Sequence, residues 1–210
     1  MKKGIIFDLD GTLWDPVELI TFSWQKVADK LRLGTKLTTK AVKDCMGLPM
    51  DEIFARLFPD VDEKSRKILQ KECEEYENEY ISQQNAPLFL YVEEVLKELK
   101  NKNYNLYIVT NSQDGYVPAF LKASNLGYLF DDYEMFGRTK RLKADNIKSV
   151  FERNKLDLAV YLGDTQGDFD ATTQAGLTFI FAEYGFGTVS DAEYKINSLK
   201  ELPNTVDKIL

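Results

Sequence analysis

The sequence predicts an α/β protein: a Rossmann-like three-layer core on a parallel sheet, with an all-helical block inserted after the first strand. Three observations carry this. Short apolar runs end in polar turns, as strands buried in a parallel sheet do. From about residue 84 those runs alternate with amphipathic helical stretches, which argues for a sheet covered on both faces. Between the first run and that point, apolar residues recur only at helical spacing. A length of 210 residues suits such a core with a small insertion. The expected division is a catalytic core of residues 1–15 and 84–210 and a helical cap of residues 16–83.

The first strand is expected over Lys3 to Asp8, where Gly4-Ile5-Ile6-Phe7 runs into the polar turn Asp-Leu-Asp-Gly-Thr. Asp15 and Pro16 read as the N-cap and first residue of a helix, continued by Ile20, Trp24, Val27 and Leu31 and ended by Gly34. Thr38 or Thr39 opens a second helix, stopped by Gly47. Met50, Ile53, Phe54, Leu57 and Phe58 mark a third, stopped by Pro59. Asp62 caps a fourth, with Leu69, Cys73, Tyr76 and Tyr80 expected on one face. Gln83 to Pro87 has the composition of a linker. Val92, Val95, Leu96 and Leu99 then form a helix stripe, and Leu106 to Val109 a strand ending in Thr110-Asn111-Ser112. A helix over Gly115 to Ser124, a short strand over Tyr133 to Phe136 and a helix over Ala144 to Asn154 follow. Leu158 to Leu162 is a strand ending in Gly163-Asp164. Gly167 to Ala175 is a helix and Leu177 to Phe181 a strand. A last helix is capped by Ser198 and disturbed by Pro203.

Composition narrows the function. The chain has 44% apolar and 29% charged residues, ordinary for a globular protein. Its net charge of -7 disfavours nucleic acid and anionic membranes as partners, and no apolar run reaches membrane-spanning length. Cys45 and Cys73 form no metal spacing and read as reduced thiols of a cytoplasmic protein. The two lysines and short apolar stretch at the start are interrupted by Asp8 and Asp10, unlike a signal peptide. There is no histidine. That removes histidine-based triads and phosphatases, so catalysis must use carboxylates, lysine, hydroxyls or a metal held by oxygen.

Ligands of an open parallel sheet bind beyond the carboxyl ends of its strands. Three expected strands end there in polar residues: Asp8 and Asp10, then Thr110-Asn111-Ser112, then Asp164 with Asp168 one helical turn on. Lys143 opens a helix between the last two. Singly, each of these is most simply a turn residue, a cap or a solvated charge. Together they gather four carboxylates, a hydroxyl and a lysine, and carboxylates so crowded need a cation to hold them.

Phe7-Asp8-Leu9-Asp10-Gly11-Thr12-Leu13 resembles the opening signature of haloacid-dehalogenase-like hydrolases. Ile108-Val109-Thr110-Asn111-Ser112 resembles the family's second motif, Lys143 the third, and Gly163-Asp164-Thr165 with Asp168, Ala171, Ala175 and Gly176 the fourth. The likeness spans essentially the whole chain. The position of the insertion resembles the helical-cap subgroup, and the overall pattern is similar to phosphoglycolate-phosphatase-like members. Two departures stand out. Lys143 is followed by Ala144 where the family often has Pro, with Lys140 as a nearby rival, and Phe89-Leu90-Tyr91 stands where the linker often carries Pro-Gly.

The resemblance implies a Mg²⁺-dependent phosphatase acting on a small phosphorylated metabolite, phosphoglycolate-like or a sugar phosphate, through an aspartyl-phosphate. Asp8 would be the nucleophile and Asp10 the general acid and base. Asp8, the carbonyl of Asp10 and Asp164 would hold Mg²⁺. Thr110, Asn111 and Lys143 would hold the phosphoryl oxygens, and Asp168 would orient Lys143 or a metal-bound water. The alternatives are a phosphoglucomutase-like phosphotransferase and, further off, a non-catalytic phosphate-ligand-binding protein. Dehalogenation would leave Asp10 without a role, and phosphonate hydrolysis would need a buried cap lysine among Lys26, Lys30, Lys36, Lys40 and Lys43. In the cap, the segment from Cys45 to Met50 either faces the site or only joins two helices, and Trp14 either flanks the site or packs beneath the cap. A monomer or a homodimer is compatible with this sequence.

Overall fold

A computed structural model describes residues Met1–Leu210. Strand β1 (Lys3–Phe7) lies at the middle of a six-stranded sheet of order β3-β2-β1-β4-β5-β6, completed by β2 (Asn105–Thr110), β3 (Asp132–Met135), β4 (Leu158–Gly163), β5 (Thr178–Ala182) and β6 (Tyr194–Ile196). Every pairing is parallel, and Phe7 stands opposite both Ile108 and Leu162. The chain builds outward from β1 to β2 and β3, then crosses to β4 on the other side. The strand order reverses at β1, which opens a crevice at its carboxyl end.

The sheet is covered on both faces because β1 is apolar on both. Successive side chains of a strand point to opposite faces: Ile5 and Phe7 pack in one core, Ile6 in the other. The helical block intervenes directly after β1 and comprises α1 (Val17–Lys30), α2 (Thr39–Lys43), α3 (Met50–Leu57) and α4 (Glu63–Ile81). In the core, α5 (Val92–Asn101), α6 (Tyr116–Ser124) and α10 (Leu202–Ile209) cover the Ile5 face, while α8 (Lys143–Arg153) and α9 (Gln166–Ala175) cover the Ile6 face. A short α7 (Phe136–Thr139) follows β3.

The four helices of the block share a hydrophobic core of their own, where Trp24 meets Phe54 at 5.0 Å. The two chain passages between block and core run side by side: the amide of Asp15 donates to the carbonyl of Pro87, and that of Phe89 to the carbonyl of Leu13.

Several local expectations shift. Pro16 is the N-cap of α1, and Asp15 Oδ1 accepts from the amide of Val17, so the aspartate caps from one residue further out. Thr38, not Thr39, caps α2. Ser198 caps a single 3₁₀ turn over Leu199–Glu201, and Pro203 falls in the first turn of α10, where a missing N–H leaves no bond unmade. Strand β6 is too short and too polar to stand out in sequence. On α4 the buried stripe is Leu69, Cys73, Glu77 and Ile81, with Tyr76 exposed. The run at i, i+4, i+8 and i+12 passes through a glutamate, which hides it from an apolar periodicity.

The loop after β2 is braced by α7. The amide of Gly137 donates to the carbonyl of Ser112 at 2.9 Å, and a Cβ on Gly137 would fall 1.9 Å from the amide nitrogen of Asp114. Only glycine allows this approach. Gly137→Ala is expected to cost about 1–3 kcal/mol of stability, as overpacked sites do. Urea denaturation checks this, and an unchanged midpoint would contradict it.

Candidate active site

Asp8 follows β1 directly, and its amide continues the sheet by donating to the carbonyl of Leu162. The chain then turns sharply, with the amides of Thr12 and Leu13 both donating to the carbonyl of Leu9. Gly11 makes the turn possible. Its φ is +81°, and a Cβ there would lie 2.2 Å from Asp164 Oδ2.

Lys143, the first residue of α8, reaches inward. Its Nζ donates to Asp8 Oδ1 at 2.8 Å and to Asp168 Oδ1 at 2.5 Å, and all three side chains are buried. Its rival Lys140 is exposed and lies over the ring of Phe136. Burial alone would lower the Lys143 ammonium, but Asp168 and Asp8 outweigh it and hold the group above its ordinary value. Asp168 has two tasks. Its Oδ2 completes a capping box with Thr165 at the start of α9, accepting from the Thr165 amide and hydroxyl, while Oδ1 takes Lys143. The helix cap and the carboxylate that pairs with Lys143 are here one residue.

Asp164 is fully buried at the end of β4. Its Oδ2 accepts from the amide of Phe186 at 2.8 Å and its Oδ1 from Thr12 Oγ1 at 3.3 Å. Burial, and then the nearby charge of Asp168, push it up to about 7. Asp8 is raised as well, by burial first, with Lys143 opposing. Asp10 Oδ1 accepts two bonds, from Trp14 Nε1 at 2.7 Å and Tyr116 Oη at 2.8 Å. Burial raises Asp10 to about 6 against the pull of those two donors.

Asp8, Asp10, Thr110, Asn111 and Lys143 line one cavity between the sheet and the helical block; Asp164 and Asp168 lie behind Asp8 rather than on its wall. Thr110 is buried at the end of β2, and Ser112 nearby has a buried hydroxyl without a partner. Met46, Gly47, Leu48 and Met50 face the cavity, so the segment between α2 and α3 is more than a connection. Trp14 does two things: it packs on Phe120 at 5.0 Å and holds Asp10. Sequence reasoning missed Tyr116, Glu77 and Tyr161, whose Oη donates to the carbonyl of Val109 at 2.8 Å beside Asp8. Tyr116 and Tyr161 sit inside elements whose periodicity marks them as packing, and Glu77 reads as a solvated helix residue, so no local signal singles them out. The five lysines considered for a Schiff base are all exposed.

The sequence model of the haloacid dehalogenase-like hydrolase family matches residues 5–182. The chain belongs to that family. Among proteins similar to this hydrolase are a phosphoglycolate phosphatase of Vibrio parahaemolyticus, 25% identical over 97% of this chain and 96% of that one, and the pyrophosphatase PpaX of Bacillus velezensis, 29% identical over 82% and 79%. A crystal structure of a predicted phosphoglycolate phosphatase from Haemophilus somnus superposes with a TM-score of 0.85 at 20% identity, covering 98% of each chain. No helix of this hydrolase is long and apolar enough to cross a membrane.

The donor set fits a hard divalent cation. Carboxylate oxygens of Asp8, Asp164 and Asp168 lie within 4.8 Å of one another, all buried, and Mg²⁺ prefers such oxygens. Asp168 is taken up by the Lys143 ion pair through Oδ1 and by the Thr165 cap through Oδ2, whereas Asp164 meets only an amide and a hydroxyl and Asp8 keeps Oδ2 unbonded. That leaves Asp8 and Asp164, with the backbone carbonyl of Asp10, which accepts no hydrogen bond within the protein.

The crowding has a measurable sign. The folded-state value of Asp164, about 7, lies above the ordinary 3.8, so the native state holds this proton more tightly than the unfolded chain. The chelated protein should lose stability as pH climbs from about 4 to about 7. At pH 8 with a chelator, Asp164→Asn should therefore raise the melting temperature by about 2–4 °C. Added Mg²⁺ should stabilise the wild type more than the variant. A fall in melting temperature of the chelated variant would contradict this.

Proposed function

We propose that this hydrolase is a Mg²⁺-dependent phosphatase that releases phosphate from a small phosphorylated metabolite through an aspartyl-phosphate on Asp8. The observation that carries the reading is the buried arrangement of Asp8 against Lys143, with Asp10 on the same cavity wall and Asp164 behind. The phosphatase names of two relatives agree with it.

Asp8 attacks phosphorus, and the bond from phosphorus to the ester oxygen breaks. Asp10 gives its proton to the departing alkoxide. It then takes a proton from the water that attacks the phosphoryl group, and Asp8 leaves as a carboxylate with free phosphate. Asp10 suits both directions because its value of about 6 lies near neutrality. Lys143 steadies the nucleophile and balances charge building on the phosphoryl oxygens, to which Thr110, Asn111 and the unpartnered Ser112 hydroxyl also offer donors. Asp168 fixes Lys143 in that post. Asp8, Asp164 and the Asp10 carbonyl would hold Mg²⁺, which would supply the positive charge that lets an anion approach a phosphate dianion. The helical block acts as a cap, closing Met46, Leu48 and Met50 over the leaving group and shedding water.

Asp8→Asn should reduce phosphate release to the assay background while circular dichroism stays unchanged; substantial activity would refute the nucleophile. Asp10→Asn should lose about 10²–10⁴-fold on alkyl esters and less on esters of acidic phenols, whose leaving groups need less protonation. Equal losses would refute the acid role. Measuring free phosphate also separates hydrolysis from transfer to a second acceptor.

Tyr116→Phe removes one of two donors that hold Asp10 down. Asp10 should then keep its proton to higher pH. The alkaline limb of kcat/KM for alkyl esters, which requires protonated Asp10, should move upward. A limb that stays or moves downward would contradict the assignment.

A further inference from the structure

The wall of the cavity opposite the sheet carries a carboxyl that the phosphoryl chemistry does not use. Glu77 of α4 is 1% exposed and lines the cavity. Trp24 Nε1 donates to its Oε2 at 2.6 Å, no hydrogen bond ends on Oε1, and the Gln113 side chain on the same wall is the next donor to this carboxyl. The other groups that bear on it are acidic or neutral, Asp10 and Glu74 among them, and burial lifts the carboxyl to about 8. The rest of that wall is apolar: Ile20, Met46, Leu48, Met50 and Ile53.

The cavity is small, about 50 Å³, and Lys143 is the one cation on its wall. That ammonium is committed to Asp8 and Asp168. A leaving group with a second anion would be buried in this cavity with no free cation to neutralise it, which is costly. A purely apolar leaving group would match the wall but leave Glu77 Oε1 unpaired. One that donates a hydrogen bond meets both conditions.

We propose that Glu77 selects the leaving group, accepting a small alcohol that carries a hydroxyl or ammonium donor and rejecting one that carries a second anion. This rests on the phosphatase reading above and narrows it to monophosphate esters of uncharged or cationic alcohols. Glu77 touches the leaving group and takes no part in bond breaking.

The test compares kcat/KM for glycerol phosphate, phosphoethanolamine, propyl phosphate and phosphoglycolate. At least one of the first two should exceed both propyl phosphate and phosphoglycolate, the latter by about tenfold or more, and which of the two leads identifies hydroxyl or ammonium. In Glu77→Gln the amide oxygen keeps the Trp24 bond and the amide nitrogen turns to the cavity, replacing an oxygen that can accept by a nitrogen that only donates. The ratio of phosphoglycolate to the preferred ester should then rise about tenfold. Met50→Lys, at a half-buried wall position, adds a cation without touching Glu77 and should raise phosphoglycolate turnover by a similar factor.

Phosphoglycolate turned over as well as the donor esters by wild type would overturn the proposal. So would a ratio unmoved in both variants. Acetyl phosphate, too small to depend on Glu77, reports the reaction itself. If it is hydrolysed in an Asp8-dependent way while the ratios fail, the Glu77 assignment alone falls. If none of the five compounds releases phosphate, the phosphatase reading falls and takes this inference with it.

Discussion

One ammonium between two carboxylates organises the site. Lys143 Nζ bonds Asp8 and Asp168 in a buried place, where an unpaired charge of either sign would be severely penalised. Its position requires β1 and β4 to be neighbours, so that Asp8 and Asp164 end side by side, and α8 to begin where its first residue points inward. Asp168 can hold Lys143 only because α9 starts with a capping box that spends just one of its oxygens. The arrangement is still short of positive charge. Asp164 is pushed up to about 7, by burial first and by the charge of Asp168 next, and the chemistry proposed here turns that to use in drawing a cation.

Much of this was legible in the sequence because the signals were local. A four-residue apolar run followed by Asp-Leu-Asp-Gly-Thr announces a buried strand and its turn together. Asp164 and Asp168 are separated by one turn of helix, and Gly176 ends that helix with a φ of +78°. Thr38 and Asp62 cap the helices they precede. What stayed hidden depended on tertiary contact. Tyr116 reads as a helix residue and Trp14 as a hinge residue, yet both donors converge on one oxygen of Asp10 from different elements. No spacing rule encodes a meeting across about a hundred residues.

Glu77 is the instructive case. On α4 the tyrosines at 76 and 80 look like the continuation of the apolar face, but the helix turns Glu77 inward instead. A glutamate inside a helical block is ordinarily solvated, so pattern alone assigns it outward. Its burial becomes intelligible only against Trp24, which contributes a hydrogen bond from α1 and joins the two helices that frame the cavity. Local rules fail here at a position whose side chain faces the proposed substrate, where functional need most often overrides packing.

The account stands or falls on whether Asp8 carries the phosphoryl group. The direct measurement is to mix enzyme, Mg²⁺ and a turned-over ester, quench in acid within one turnover, and map the modified peptide by mass spectrometry. The account predicts one added phosphoryl group on the peptide holding Asp8, trapped as homoserine at that position by borohydride and absent from Asp8→Asn. Phosphate released at full rate with that peptide unmodified at every quench time, or the label found on another residue, would contradict it.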